Sequence, residues 1–101
     1  MTKKITSEFT RAHILYSGRV QGVGFRYTAE KIALDLKLVG WVKNLPDNRV
    51  ELVCEGPPKK IEALVDKIQT SSLGRTITKT VCHWEKPTCE FKDFRIEFCC
   101  Y

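Results

Sequence analysis

Gly18-Arg19-Val20-Gln21-Gly22-Val23-Gly24-Phe25-Arg26 is the segment that organises this chain. Before it, residues 12–17 alternate Ala12, Ile14 and Tyr16 against His13 and Ser17, the period of a strand. After it, Phe25, Ala29, Ile32, Ala33 and Leu36 recur along one helical stripe. The segment is therefore a strand-to-helix junction, and its glycines let the backbone turn sharply and approach a bound group. N–H groups of a first helical turn have no partner inside the helix, and the helix dipole favours an anion there. Arg26 falls in that turn, with a planar fork suited to two phosphate oxygens.

Working outward, Lys37 and Gly40 predict where the first helix stops. Trp41-Val42-Lys43-Asn44 opens a second strand, and Leu45-Pro46-Asp47-Asn48 reads as a tight turn. Val50, Leu52 and Cys54 alternate with Arg49, Glu51 and Glu55, so a third strand closes a hairpin with the second. Gly56-Pro57-Pro58 ends it and places proline in the first turn of a second helix, whose apolar stripe is Ile61, Leu64, Val65 and Ile68. Ser71-Ser72-Leu73-Gly74 is expected to be a loop. Residues 76–85, rich in Thr and Val, make a fourth strand stopped by Pro87, and residues 94–98 a short terminal strand.

The order is β-α-β-β-α-β plus a short C-terminal strand, which defines an α+β class. A split βαβ unit gives an antiparallel sheet with two helices on one face. Strands one and two then run the same way with strand three between them, so their C-terminal ends share one edge. Asn44, near the end of strand two, can meet Arg26 there. On residue types alone a second reading stands beside this one: the glycines make a tight connection, Arg26 is solvated, and Asn44 caps the turn. No third glycine completes a dinucleotide fingerprint, and no G-K-[ST] of a P-loop follows.

With 101 residues the chain is one domain, 1–101, in which residues 1–10 are expected to be a flexible extension. A net charge of +5 suits an anionic partner, but the basic residues form no run longer than two, and a solvated basic surface accounts for the total equally well. No apolar run is long enough to span a bilayer, and no hydrophobic segment follows Lys3-Lys4, so no membrane partner is expected and the location expected is cytoplasmic. The five cysteines, Cys54, Cys82, Cys89, Cys99 and Cys100, include no C-x-x-C pair, which argues against a zinc site. Cys54 belongs on a core-facing strand position. Free thiols are expected, with a bridge among the later cysteines left open.

Gly18 to Arg26, followed by Gly40-Trp41-Val42-Lys43-Asn44, resembles the two signature segments of the acylphosphatase family. The similarity runs from about Ala12 to Phe98 and includes Glu55-Gly56-Pro57-Pro58 and Phe94-Arg95-Ile96. The resemblance implies a ferredoxin-like α/β sandwich that hydrolyses small-molecule acyl phosphates, releasing inorganic phosphate, without metal or other cofactor. It implies that Arg26 and the amides of Arg19, Val20, Gln21, Gly22, Val23 and Gly24 hold the phosphate, while Asn44 orients the attacking water. A monomer is expected. Four features depart from the family pattern: Leu45 replaces a small polar residue, Asp47-Asn48 stands for Asp-Gly, residues 71–75 lack the Gly-Pro-rich loop, and Cys99-Cys100-Tyr101 extends the tail.

Two rivals share the element order. RNA recognition domains stack bases on aromatics of the central strands, whereas residues 49–55 carry no aromatic and two glutamates, so no nucleic-acid partner is expected. A non-catalytic anion-binding domain, or a module serving a larger carbamoyl-phosphate enzyme, differs from a free enzyme only in lacking turnover of its own. His13 and His83 have no ligand spacing, and Trp41 and Trp84 are expected to pack.

Overall fold

The computed structural model describes residues 9–98. The chain runs β1 (Thr10–Gly18), α1 (Phe25–Asp35), β2 (Val39–Asn44), β3 (Val50–Gly56), α2 (Pro58–Thr70), a 3-10 turn (Ser72–Thr76), β4 (Ile77–Glu85) and β5 (Phe94–Ile96). The loop expected at residues 71–74 is thus partly helical, its first turn capped by the Ser71 hydroxyl accepting from the Leu73 N–H. β1 begins at Thr10, two residues before the alternating pattern. The expected extension over residues 1–10 lies mostly outside the described residues.

The five strands form one sheet in the order β4-β1-β3-β2-β5. Alternation decides which face is covered. Ala12, Ile14 and Tyr16 of β1 and Val50, Leu52 and Cys54 of β3 are buried with Ala29 and Ala33 of α1 and Ile61, Leu64 and Ile68 of α2. Both helices therefore lie on one face, as the patterning predicts. The small alanines on α1 let the helix approach the sheet closely. Cys54 is fully buried, and burial pushes its thiol up to about 12. Cys54, Cys82 and Cys89 are free; Cys99 and Cys100 lie outside the described residues.

The sheet is not wholly antiparallel. β1, β3 and β4 pair antiparallel, as do β2 and β3, but β5 runs parallel to β2, with Gly40 opposite Phe94 and Val42 opposite Ile96. The path of the chain explains this. Leaving β4 at one sheet edge, residues 86–93 cross to the other edge and are held on the way by the buried carboxylate of Glu55 at the end of β3. That carboxylate accepts from the Thr88 N–H (2.8 Å), the Cys89 N–H (3.0 Å) and Arg11 Nη1 (3.2 Å). Burial alone would raise its pKa, but these donors outweigh burial and hold it below the ordinary glutamate value. The crossing delivers the chain to the start of β2, where the Gly40 N–H donates to Asp93 O, and β5 then has one direction left to run.

Gly40 does not end α1. Lys37 takes the left-handed conformation after the helix (φ 60°), while Gly40 sits inside β2, buried. A Cβ at Gly40 would stand 2.0 Å from Val53 O, and φ is +141°, so the position serves close strand approach.

Candidate active site

The junction between β1 and α1 is built from both ends. Tyr16, near the end of β1, stacks obliquely on Phe25, the first residue of α1, with ring centroids 4.9 Å apart. Between them Val20 is fully buried and anchors the middle of the loop in the core. The Arg19 N–H donates to Thr76 O at 2.9 Å, tying the loop's start to the residue before β4. Gly22 and Gly24 have φ near +78°, and a Cβ on either would meet nothing within 4 Å. Backbone conformation, not packing, requires glycine at both.

Gly24 is the N-cap of α1, without a side-chain cap, and the first turn holds no acidic residue. Its amides are thus left with neither a capping oxygen nor a carboxylate competing for the positive end of the helix.

A recess of about 100 Å³ opens at this point, lined by Val20, Gly22, Gly24, Phe25, Arg26, Tyr27 and Asn44. The two side chains singled out from sequence, Arg26 and Asn44, therefore face one cavity. Topology accounts for it: Tyr16 of β1 and Asn44 of β2 both pair with Val50 of β3, so the C-terminal ends of the two strands lie at one edge of the sheet. Arg19 and Gln21 line a neighbouring recess of about 250 Å³ with Gly18 and Asn48, and Arg19 is exposed. Val23 lines neither recess and is half-exposed.

The Gln21 side chain does something the sequence did not suggest. Its amide nitrogen donates to Leu45 O at 2.8 Å and to Arg49 O at 2.9 Å, bonding the loop to the β2–β3 turn. In that turn Asn48 takes φ +74°, the conformation glycine would adopt at the same place, and Asp47 accepts from the Arg49 N–H and side chain. The departure from Asp-Gly is absorbed by asparagine's tolerance of left-handed backbone. The Arg49 N–H, then its side chain, hold the Asp47 carboxyl below the ordinary range.

Two aromatic residues join the site without a sequence signal. Tyr27 lines the Arg26 recess. Phe98, beyond β5, places its ring centroid 5.3 Å from the Arg26 guanidinium carbon. Parallel pairing carries Phe98 to this edge, since β5 runs with β2 toward the Asn44 end.

The other sequence candidates stay apart. His13 Nε2 meets Glu51 at 2.6 Å on the uncovered sheet face, and His83 is exposed. Trp41 packs under Lys43, whose ammonium lies 4.9 Å from the ring centroid, whereas Trp84 is half-exposed rather than packed. A roomier recess of about 470 Å³ between α2 and β4 carries Glu62 and Asp66 on its walls. Two carboxylates and no cation make it unsuited to a phosphate.

The fold and this edge define a ferredoxin-like α+β sandwich with a glycine-bearing loop, a guanidinium and a carboxamide around one recess. The sequence model of acylphosphatase matches residues 12–96, and the chain belongs to the acylphosphatase family. An acylphosphatase of Thermococcus kodakarensis is 44% identical over 77 residues, covering 76% of this chain and 85% of that one. The crystal structure of the Bacillus subtilis acylphosphatase superposes with a TM-score of 0.81 at 35% identity, over 87% of this chain and 98% of that one. Full-length HypF, solved in a phosphate- and nucleotide-bound form, matches with a TM-score of 0.80 at 28% identity. There the match covers 94% of this chain but 12% of HypF.

Proposed function

We propose that this chain hydrolyses the carboxyl–phosphate bond of small-molecule acyl phosphates, with Arg26 and the amides of residues 19–24 holding the phosphoryl group and Asn44 aiming the water. The observation that carries the reading is the convergence of Arg26 and Asn44 on one recess beside an N-terminal turn free of acidic residues.

The chemistry asks for little more. Water attacks phosphorus in line, the bond from phosphorus to the acyl oxygen breaks, and the electron pair leaves on a carboxylate. The water's protons pass to phosphate and solvent. A carboxylic acid has a pKa of about 4, so the leaving group needs no proton at neutral pH. What remains is charge on the phosphoryl oxygens and alignment of the nucleophile, which positioning and electrostatics supply in phosphoryl transfer. Arg26 and the amides meet the first need. Asn44, neutral and able to donate and accept, meets the second.

The match spans 98% of the Bacillus subtilis acylphosphatase, so the described domain corresponds to nearly the whole of that protein, which supports reading it as catalytic. Action as a cytoplasmic monomer is part of the same proposal, with light scattering and fractionation as its checks. The deciding assay is hydrolysis of benzoyl phosphate by the purified chain with a chelator present. Phosphate binding without turnover would support a non-catalytic anion-binding domain instead.

A further inference from the structure

We infer that Gln21 is a positioning residue: its side chain fixes the phosphate loop to the turn that directly follows Asn44, and so sets where the water stands relative to phosphorus. The inference rests on the proposed roles of the 18–24 loop and Asn44.

Loop and turn belong to different parts of the chain, and the Gln21 carboxamide spans them. One nitrogen reaches two backbone carbonyls, Leu45 O at 2.8 Å and Arg49 O at 2.9 Å. Carbonyls only accept, so the group facing both must be the NH2, with both of its protons used. Each carbonyl also accepts from the turn itself: Leu45 O from the Asn48 N–H at 3.2 Å, Arg49 O from the Leu45 N–H at 2.8 Å. Gln21 thus supplies the second donor to both. Leu45 directly follows Asn44, and Arg49 directly precedes Val50, the cross-strand partner of Asn44. The two bonds therefore bracket the end of β2 that holds the carboxamide.

On the loop side, Gln21 stands between Val20, buried in the core, and Gly22, which lines the Arg26 recess. A shift of the turn against the loop would move Asn44 while leaving the amides and Arg26 around the phosphate intact. The consequence differs from that of losing a phosphate ligand: turnover falls and phosphate affinity does not.

The test uses Gln21→Met, which keeps length without donors, alone and with Asn44→Ala, in benzoyl phosphate hydrolysis and in competitive inhibition by inorganic phosphate. Displacement of a reacting group by about 1 Å can cost about 10²-fold, so Q21M should lower kcat by between about 10-fold and 10²-fold. The phosphate inhibition constant should stay within about threefold, and the double variant within about threefold of N44A, because Gln21 acts through Asn44. Q21E is the second variant and carries the test should Q21M not fold. Ionised, it presents only acceptors to two carbonyls; protonated, it donates one bond, so its activity relative to wild type should rise from about pH 7 to about pH 5. Unchanged kcat in Q21M, multiplying effects in the double variant, phosphate affinity falling in step with kcat, or a flat Q21E ratio would each overturn the inference. An inactive wild-type chain overturns the hydrolase reading and this inference with it; an active wild type with unimpaired Gln21 variants overturns this inference alone.

Discussion

Replacing Arg26 by alanine tests the site most directly, because the structure separates its electrostatic contribution from its contribution to stability. Arg26 stands one residue into α1 and lines a recess of about 100 Å³, so a phosphoryl group held there as proposed would lie within contact of the guanidinium. One unit charge at about 4 Å, with an effective dielectric near 20, is worth about 4 kcal/mol. If the transition state alone felt that attraction, its loss would slow the reaction by about 10³-fold. The ground-state dianion feels it too, so the loss divides between kcat and phosphate affinity while kcat/KM carries the sum. R26A should therefore lower kcat/KM for benzoyl phosphate by about 10³-fold or more and weaken inhibition by inorganic phosphate. R26K, keeping the charge but not the fork, should fall between R26A and wild type. Stability should hardly change, since alanine favours helix and the guanidinium rests on a ring, that of Phe98, which is itself exposed. A folded R26A within about threefold of wild-type kcat/KM would remove the guanidinium from the mechanism, threefold being about 0.7 kcal/mol against an expected value of about 4.

Asn44→Ala should lower kcat by about 10²-fold or more, the usual loss for one oriented dipole, with phosphate inhibition little altered; stopped assays on both quantities check it. Glu55→Gln should cost about 3 kcal/mol in urea unfolding at about pH 7, because it leaves Arg11 and the Thr88 N–H facing an amide donor. The folded Glu55 pKa is lowered, so its stabilisation is complete above the ordinary value of 4.5 and is lost as pH falls through the folded value. The gap between wild type and E55Q should therefore shrink below about pH 4.5, and a constant gap would argue against the clasp. Gly40→Ala should destabilise by about 3 kcal/mol or more, since strain at φ +141° adds to overlap with Val53 O; the unfolding midpoint reads it out.

Local periodicity carries most of the fold into view. Ala12, Ile14 and Tyr16 declare β1, the stripe from Phe25 to Leu36 declares α1, and both sets pack in one core. Glycine after a helical stripe usually stops the helix, which is why Gly40 reads as a stop. In the structure Lys37 takes the left-handed turn, and the glycine is needed by a neighbouring strand far away in sequence. No local pattern records such an approach. The same limit hides Gln21: a glutamine between glycines carries no sign that its amide spans 24 and 28 residues to two carbonyls.

The direction of β5 depends on a long-range interaction of the same kind. Three residues, Phe94–Ile96, pair equally well either way on pattern alone. What fixes their direction is Glu55, a carboxylate that alternation places among the outward-facing strand residues. By accepting from Thr88 and Cys89 it holds the crossing segment at the end of β3, so the chain enters beside the start of β2. Parallel pairing results, and Phe98 arrives at the Arg26 edge. An antiparallel β5 would have carried Phe98 to the opposite end of the sheet. Arg26 and Asn44 are legible because each stands in a local motif, whereas the ring beside the guanidinium is placed by a buried carboxylate in another strand.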